Sequence, residues 1–214
     1  AIDTPQAVTV VDQDEIDREQ ATSTGDMLRS VPGVTTIGSD RIFGEAFNIR
    51  GVGATESSAD GSRIIVTVDG APKFNEQYRM GSFFSDPELY KRVEVLRGPT
   101  SSTLYGSGAL GGVIRFETKD ASDLIADCDR GVVKIKGSYS SNGNGALGSV
   151  IFGHRFNDQG EILIAGNYRR SNEFRQANGN ILSGSDFQSW SGLAKGTFRF
   201  GDANEQVIRI SYQR

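Results

Sequence analysis

The pattern of apolar and polar residues changes near residue 131. Beyond that point, five segments alternate strictly between apolar and polar positions, which is typical of β-strands with two unlike faces. In the first of them, Val133 and Ile135 share one face, and Lys134 and Lys136 share the other. Their lengths of roughly 8–11 residues match what a tilted strand needs to cross a bilayer. The five predicted strands are 132–139, 146–156, 161–171, 190–200 and 207–213.

The connections between these strands differ in length. Residues 157–160 and 201–204 are tight turns rich in Asn, Asp and Gly, whereas 171–189 is a long polar loop. Short turns on one side and longer loops on the other are typical of an outer-membrane barrel meander. A soluble antiparallel sandwich with one solvated face shows the same alternation, so the strands alone leave both architectures open.

The first part of the chain has a different pattern, which predicts a mixed α/β unit. A short helix is expected at 14–17, where carboxylates favour a helix N-terminus, and another at 24–31, ending before Pro32. Short strands bounded by Gly, Pro or Asp are predicted at 7–11, 47–50, 63–68, 92–96 and 112–116.

Charge follows the same division of the chain. Residues 1–118 contain 11 Lys and Arg against 17 Asp and Glu, whereas residues 131–214 contain 10 against 6. An acidic first part joined to a basic second part indicates that the two parts occupy different environments. A pI near 5.1 without a basic stripe argues against a nucleic-acid partner. The basic residues of that face are Lys134, Lys136, Arg155, Arg169, Lys195, Arg199 and Arg209.

Candidate catalytic chemistry is sparse. Cys128 is the single cysteine. His154 is the single histidine and shares its strand face with apolar residues and no carboxylate, so we expect an interfacial side chain and not a catalytic or metal-binding one. Residues 106–111 match G-x-G-x-x-G, but a strand rather than a helix follows, so no nucleotide site is expected. Four aspartates within 120–129 lack the spacing of a calcium loop, which favours a solvated linker. We expect no enzymatic activity and no resident cofactor.

Several segments stand in a specific order: TPQAVTVV at 4–11 with LRSVPGV at 28–34, FNIRG at 47–51, VTVDG at 66–70, and RVEVLRGP at 92–99 continuing to LYGSGALGGVI at 104–114. Together they resemble the plug domain of TonB-dependent outer-membrane receptors, and the resemblance covers essentially the whole chain. It implies an α+β plug domain followed by antiparallel transmembrane β-barrel strands, part of a plugged barrel of about 22 strands. The implied domains are a plug at 1–120, a linker at 121–130 and the first five barrel strands at 131–214.

The resemblance implies active uptake of haem or a ferric siderophore across the outer membrane of a Gram-negative cell, with the plug gating the barrel lumen. The implied partners are the TonB complex, the iron ligand and outer-membrane lipid. The short box that contacts TonB is expected upstream of Thr4 and is missing from this chain. Because five strands leave open edges in lipid, we expect the chain to be a fragment of a longer receptor.

The resemblance also suggests binding residues. The stretches 80–95 and 118–124 look like the subgroup that takes haem from haemoproteins, whose members typically carry an axial His near 77–81; none is present here. Tyr78 or Met80 could ligate haem iron instead, since both side chains serve as axial ligands elsewhere. A ferric siderophore held by basic side chains and loop aromatics stays the alternative. The full set of predicted ligand-binding residues is Lys73, Tyr78, Arg79, Met80 and Phe83.

Three further residues match positions where plugs of the family meet the barrel wall. They are Arg50, Glu94 and Arg97, and the resemblance predicts that they form plug–barrel contacts.

Overall fold

The computed structural model describes residues 7–37, 44–55, 63–73, 83, 85–99, 105, 108–201 and 206–213. The chain divides into two compact units, Ala1–Thr118 and Lys119–Arg214, so the division falls two residues before the end of the predicted plug. None of the described helices is long and apolar enough to cross a membrane.

The described part of the first unit contains short strands and the short α-helix α1 (Gln13–Glu19). The strands form a five-stranded sheet in the order β1-β7-β8-β5-β6 and a three-stranded sheet in the order β2-β3-β4. β5 and β8 are parallel, and the other pairs in the larger sheet are antiparallel. The predicted mixed architecture is confirmed. The strands are β1 (Ala7–Val11), β2 (Val34–Ile37), β3 (Ala46–Ile49), β4 (Val52–Gly53), β5 (Ile64–Val68), β6 (Ala71–Pro72), β7 (Tyr90–Arg97) and β8 (Gly112–Thr118).

The helix α1 spans Gln13–Glu19 and includes the predicted helical segment 14–17. Its N-cap is Asp12, whose carboxylate accepts a hydrogen bond from the Glu15 N–H at 3.0 Å. Asp14 and Glu15 place negative charge in the first turn, where the helix dipole favours it.

The second predicted helix, 24–31, is wrong in extent, because the structure has only a single 3-10 turn at Asp26–Leu28. The Asp26 carboxylate accepts hydrogen bonds from the N–H groups of Thr22 and Ser23, at 2.9 and 3.1 Å. Local bonding of this kind competes with the helical hydrogen bonds and favours a turn.

Aromatic rings lie at the centre of the core of the first unit. Phe116 on β8 is fully buried, and its ring stacks on that of Phe83 with centroids 4.7 Å apart. The rings of Tyr90 and Phe47 lie 5.0 and 6.2 Å from Phe116. Apolar residues from α1, β3, β5 and β7 complete this cluster. Ring pairs at these distances add attraction to the burial of apolar area.

The second unit is an antiparallel meander in which the sheet order follows the chain order. All five strands predicted from the alternating pattern are present, with bounds that differ by at most three residues. They are β9 (Gly131–Ser140), β10 (Gly145–Arg155), β11 (Gly160–Ser171), β12 (Phe187–Phe200) and β13 (Gln206–Gln213).

Of the predicted linker, 121–130, only residues 126–130 are solvated along their whole length. A 3-10 turn at Ala121–Asp123 has a buried first residue and lies within the second unit. Asp120, directly before it, forms a 2.9 Å ion pair with Lys195 of β12. Residues 126–130 are exposed, as expected. The sequence could not show that Asp120 is paired, because its partner Lys195 is 75 residues away along the chain.

The start of β8 depends on a glycine. Gly112 has a φ of +142°, and a Cβ there would lie 2.1 Å from the Leu96 carbonyl oxygen on β7. Gly112→Ala is therefore expected to destabilise the protein by about 3 kcal/mol. Gly98→Ala is the matched control, since Gly98 also has a positive φ, of +107°, but nothing within 4 Å of its Cβ position. Thermal unfolding in detergent compares the two, and equal losses in Tm would contradict the steric explanation.

Candidate functional site

One face of the sheet β9–β13 exposes apolar side chains, and the opposite face of β10–β12 buries polar side chains together with apolar ones such as Ile151. On the apolar face, Ile135 is 75% exposed and Trp190 is 72% exposed. On the opposite face, Glu161 and Lys195 are 1% and 5% exposed. A soluble sandwich would bury the apolar face, whereas a sheet that faces lipid shows this inverted arrangement. The soluble alternative is therefore not favoured.

The strand registers keep each face continuous across the sheet. On the outward face, Phe152 of β10 lies opposite Val133 of β9 and Ile164 of β11. On the inward face, Lys195 of β12 lies opposite Ser211 of β13. A slip of one residue would move a whole strand's apolar set to the other face, so this pattern fixes the register.

Aromatic side chains lie near both ends of the outward face. The rings of Tyr168 and Trp190 are 4.3 Å apart near the long-loop end. Near the short turn, His154 lies between Phe152 and Phe156, with ring centroids 6.5 and 5.1 Å away. Amphipathic rings at such positions suit the boundary between lipid and water. No group of three or more His, Cys, Asp or Glu among the described residues could hold a metal ion.

Basic residues of the inward face pair with carboxylates of the same unit. Lys195 pairs with Asp120 at 2.9 Å, and the Arg209 Nε lies 3.9 Å from the same carboxylate oxygen. Arg199 pairs with Glu161 at 3.0 Å. The basic polar face predicted from the sequence is thus present, and part of its charge is balanced within the second unit.

Glu94 lies inside a charged cluster on the five-stranded sheet of the first unit. It is 8% exposed and accepts a hydrogen bond from the Arg115 guanidinium at 2.9 Å, and it also pairs with Arg92. Arg115 reaches Glu117 as well, at 3.3 Å. The predicted contact of Glu94 with the barrel wall stays a prediction.

Arg97, at the end of β7, holds the N-terminal strand. Its guanidinium donates to the carbonyl oxygens of Ala7 and Pro32 at 3.3 and 2.7 Å, and to the Thr9 Oγ1 at 2.5 Å. Arg50 is exposed in a turn with φ of +52°. Contacts of Arg50 and Arg97 with the barrel wall stay predictions.

Two of the predicted ligand-binding residues lie among the described residues. Lys73 is exposed, directly after β6, and its N–H donates to the carbonyl oxygen of Val66 at 2.8 Å. Phe83 is 2% exposed, so its ring belongs to the core of the first unit. Tyr78, Arg79 and Met80 lie outside the described residues. A role of any of these five in ligand binding stays a prediction.

Glu45 is a buried carboxylate that the sequence reasoning missed. It is 2% exposed, and its main chain exchanges two hydrogen bonds with Phe83, at 3.0 and 2.9 Å. Its carboxylate accepts hydrogen bonds from the Thr24 hydroxyl and from the Gly25 N–H, the latter at 2.7 Å. Glu45 therefore links Phe83 to the turn at 24–25. The sequence feature that could have pointed to it is an acidic residue placed directly before the apolar strand β3.

The two carboxylates near this turn titrate differently. Burial raises the pKa of Glu45 to about 6, although hydrogen bonds from Ser23, Thr24 and Gly25 oppose the rise. Burial also acts on Asp26, but hydrogen bonds from Thr22 and the nearby Arg29 charge prevail and hold its pKa below the ordinary value. Burial thus prevails at Glu45, whereas the hydrogen bonds and the Arg29 charge prevail at Asp26.

The raised pKa of Glu45 makes stability depend on pH. The folded protein binds this proton more tightly than the unfolded chain, so the free energy of unfolding should fall as pH rises from 4.5 to about 6. The total change is about 2 kcal/mol. Glu45→Gln keeps an acceptor for Gly25 and should flatten this dependence, whereas the exposed control Glu19→Gln should keep it. Tm measured across this pH range tests the assignment, which an unchanged slope in Glu45→Gln would refute.

The apolar outward face should not tolerate a charged side chain. Ile135→Arg places a charge among lipid-facing side chains and should weaken the inserted state by about 2 kcal/mol or more. Lys136→Arg, one residue along on the inward face, keeps its charge and should assemble normally. The amount of folded receptor in outer-membrane fractions, judged by heat-modifiable gel mobility, compares them. Equal assembly of the two variants would argue against lipid contact at residue 135.

Comparison with known proteins agrees with a plug-like first unit followed by the strands of a barrel wall. A family model described as TonB-dependent Receptor Plug Domain matches residues 1–113. A hemin receptor of Yersinia enterocolitica is 36% identical over 220 residues, which cover 99% of this chain and 29% of the relative. The TonB-dependent heme receptor A of Haemophilus ducreyi is 36% identical over 172 residues, covering 79% of this chain and 22% of the relative.

A solved structure has the same fold. A double mutant of the Serratia marcescens hemophore receptor HasR, in complex with its hemophore HasA and heme, superposes with a TM-score of 0.80 at 26% identity, covering 99% of this chain and 31% of that one. The chain thus spans less than a third of the length of these three proteins. The predicted plug fold and barrel strands are confirmed. Because the plug family model covers more than half of the chain, the chain belongs to the TonB-dependent receptor family.

Proposed function

We propose that this chain forms the plug and the first wall strands of a Gram-negative outer-membrane receptor that takes up haem. The observation that carries the proposal is the similarity to a hemin receptor along 99% of the chain, through both the plug and the wall strands. The inverted sheet β9–β13 supports a position in the outer membrane, and the first unit supplies a compact body suited to gate a lumen.

The haem iron would need an axial ligand from this or another part of the receptor. His154 is unsuited to the task, because it lies on the outward face between Phe152 and Phe156. Tyr78 and Met80 remain the candidates in this chain, since a phenolate and a thioether both ligate haem iron. The positive charges of Lys73 and Arg79 suit the carboxylates of haem and equally the anionic groups of a ferric siderophore.

Coupling to the TonB complex would act through the N-terminal end of the plug. Among the described strands, β1 is the edge strand of the five-stranded sheet and pairs with β7, over Ala7–Val11. Tension applied before Ala7 would reach this strand first and could detach it without breaking the inner strand pairs. Arg97, which donates to Ala7 and Thr9, would resist that detachment.

Haem titration of the full-length receptor tests the ligand directly. We expect a Soret shift on binding, with affinity reduced at least about tenfold in Tyr78→Phe/Met80→Leu, which removes the ligating atoms and keeps the side-chain size. Tyr105→Phe is the matched control and should bind haem like the parent. An unchanged shift in the double variant would show that these residues do not ligate the iron.

Titration and growth measurements together distinguish haem from a ferric siderophore as the ligand. Ferric siderophores are titrated in parallel, and growth on each iron source is measured with and without a functional TonB. Growth on haem that requires TonB would support the proposal. Growth on a ferric siderophore, with neither growth on haem nor a Soret shift, would show that the ligand is the siderophore and not haem.

A further inference from the structure

Residues 119–125, called here the anchor segment, are attached to the inward face of β10–β12 by buried charge. The side chains of Asp120 and Lys195 are 5% and 4% exposed, and their charged atoms lie 2.9 Å apart. The Thr197 hydroxyl donates to the same Asp120 oxygen at 3.2 Å. Separating a buried ion pair without solvating its members is strongly unfavourable, so this contact resists opening.

A second attachment lies on the neighbouring strand. The Ser122 hydroxyl donates to the Glu161 carboxylate at 3.1 Å, and Arg199 donates to the same oxygen at 3.0 Å. Within the segment, the Asp120 N–H donates to the Asp123 carboxylate at 2.6 Å and closes a capping box. The turn is therefore braced internally and bonded to both β11 and β12.

The surface of β10 is shaped to receive the segment. Ala121 is 1% exposed, and a Cβ placed on Gly153 would lie 3.4 Å from the Ala121 Cβ and 3.0 Å from the Val132 Cγ1. The backbone of Gly153 does not need a glycine, since its φ is not positive. The missing side chain instead leaves room for the anchor segment to lie against the strand.

We infer that the anchor segment stays bound to β10–β12 throughout uptake, so that Thr118 is the last residue of the plug that moves. The inference rests on the proposed transport function. Asp120 and Lys195 then act as positioning residues, because they hold the chain directly after β8 at one point on the wall. β1 contrasts with this segment, because it is an edge strand whose described partners, the strand β7 and the Arg97 side chain at its end, lie within the plug.

A disulfide across the contact tests the inference. Ala121→Cys/Gly153→Cys is made in the full-length receptor together with Cys128→Ser and Val132→Ala, which remove the free thiol and relieve the close Val132 methyl. The Cβ separation suits a disulfide, which should form in the oxidising periplasm. We expect crosslinking with no loss of haem uptake. Val8→Cys/Leu96→Cys, which joins paired positions of β1 and β7, is the matched comparison and is expected to abolish uptake until reduced.

Two outcomes of the crosslinking would overturn the inference: failure of the 121–153 disulfide to form, or uptake that stops when it forms and returns with a reductant. If the unsubstituted full-length receptor takes up no haem, the proposed function fails instead. The labelling experiment below then tests the anchor segment by itself.

The labelling experiment does not depend on transport. A single cysteine at position 121, in the Cys128→Ser background, should resist a membrane-permeant maleimide, with and without added haem. Lys195→Met should expose it, whereas Lys134→Met, a matched change on the same face, should not. Rapid labelling with Lys195 intact, or no change in Lys195→Met, would contradict a buried, charge-held anchor.

Discussion

The second unit differs from a soluble sheet with one solvated face, because its exposed face is apolar and the opposite face of β10–β12 buries charged side chains. Ile135 and Trp190 are among its most exposed residues, whereas Glu161 and Lys195 are almost fully buried. Charges that point inward must be paired where they are buried, which explains the ion pairs to Asp120 and Glu161. The lipid-facing surface thus determines the composition of the inward face and the way the chain enters the wall.

The first unit has the opposite organisation, with a conventional apolar core around Phe116. Two of its polar side chains join separate parts of the chain. Glu45 joins Phe83 to the turn at 24–25, and Arg97 joins β7 to β1 and to Pro32. Such hydrogen bonds hold parts of the chain that are distant in sequence in a fixed relation to one another.

The sequence predicted most where local periodicity decides the structure. Alternation alone gave the strands of the second unit and the direction of Lys134 and Ile135. The helix at 24–31 was overestimated, because the side chain of Asp26 captures nearby N–H groups and favours a turn. The burial of Asp120 and Glu45 could not be predicted, because Lys195 and Thr24, which stabilise them, are distant in sequence. The predicted ligand residues 78–80 lie outside the described residues, so the ligand site still rests on resemblance.

Nitroxide scanning along β9 tests whether the outward face of β9–β13 contacts lipid in the receptor. Spin labels are placed one at a time at 133, 134, 135 and 136 in the full-length receptor, reconstituted in lipid bilayers. If that face contacts lipid, we expect collisions with oxygen rather than with a water-soluble nickel chelate at 133 and 135, and the reverse preference at 134 and 136. Equal access of the chelate to all four positions would contradict it.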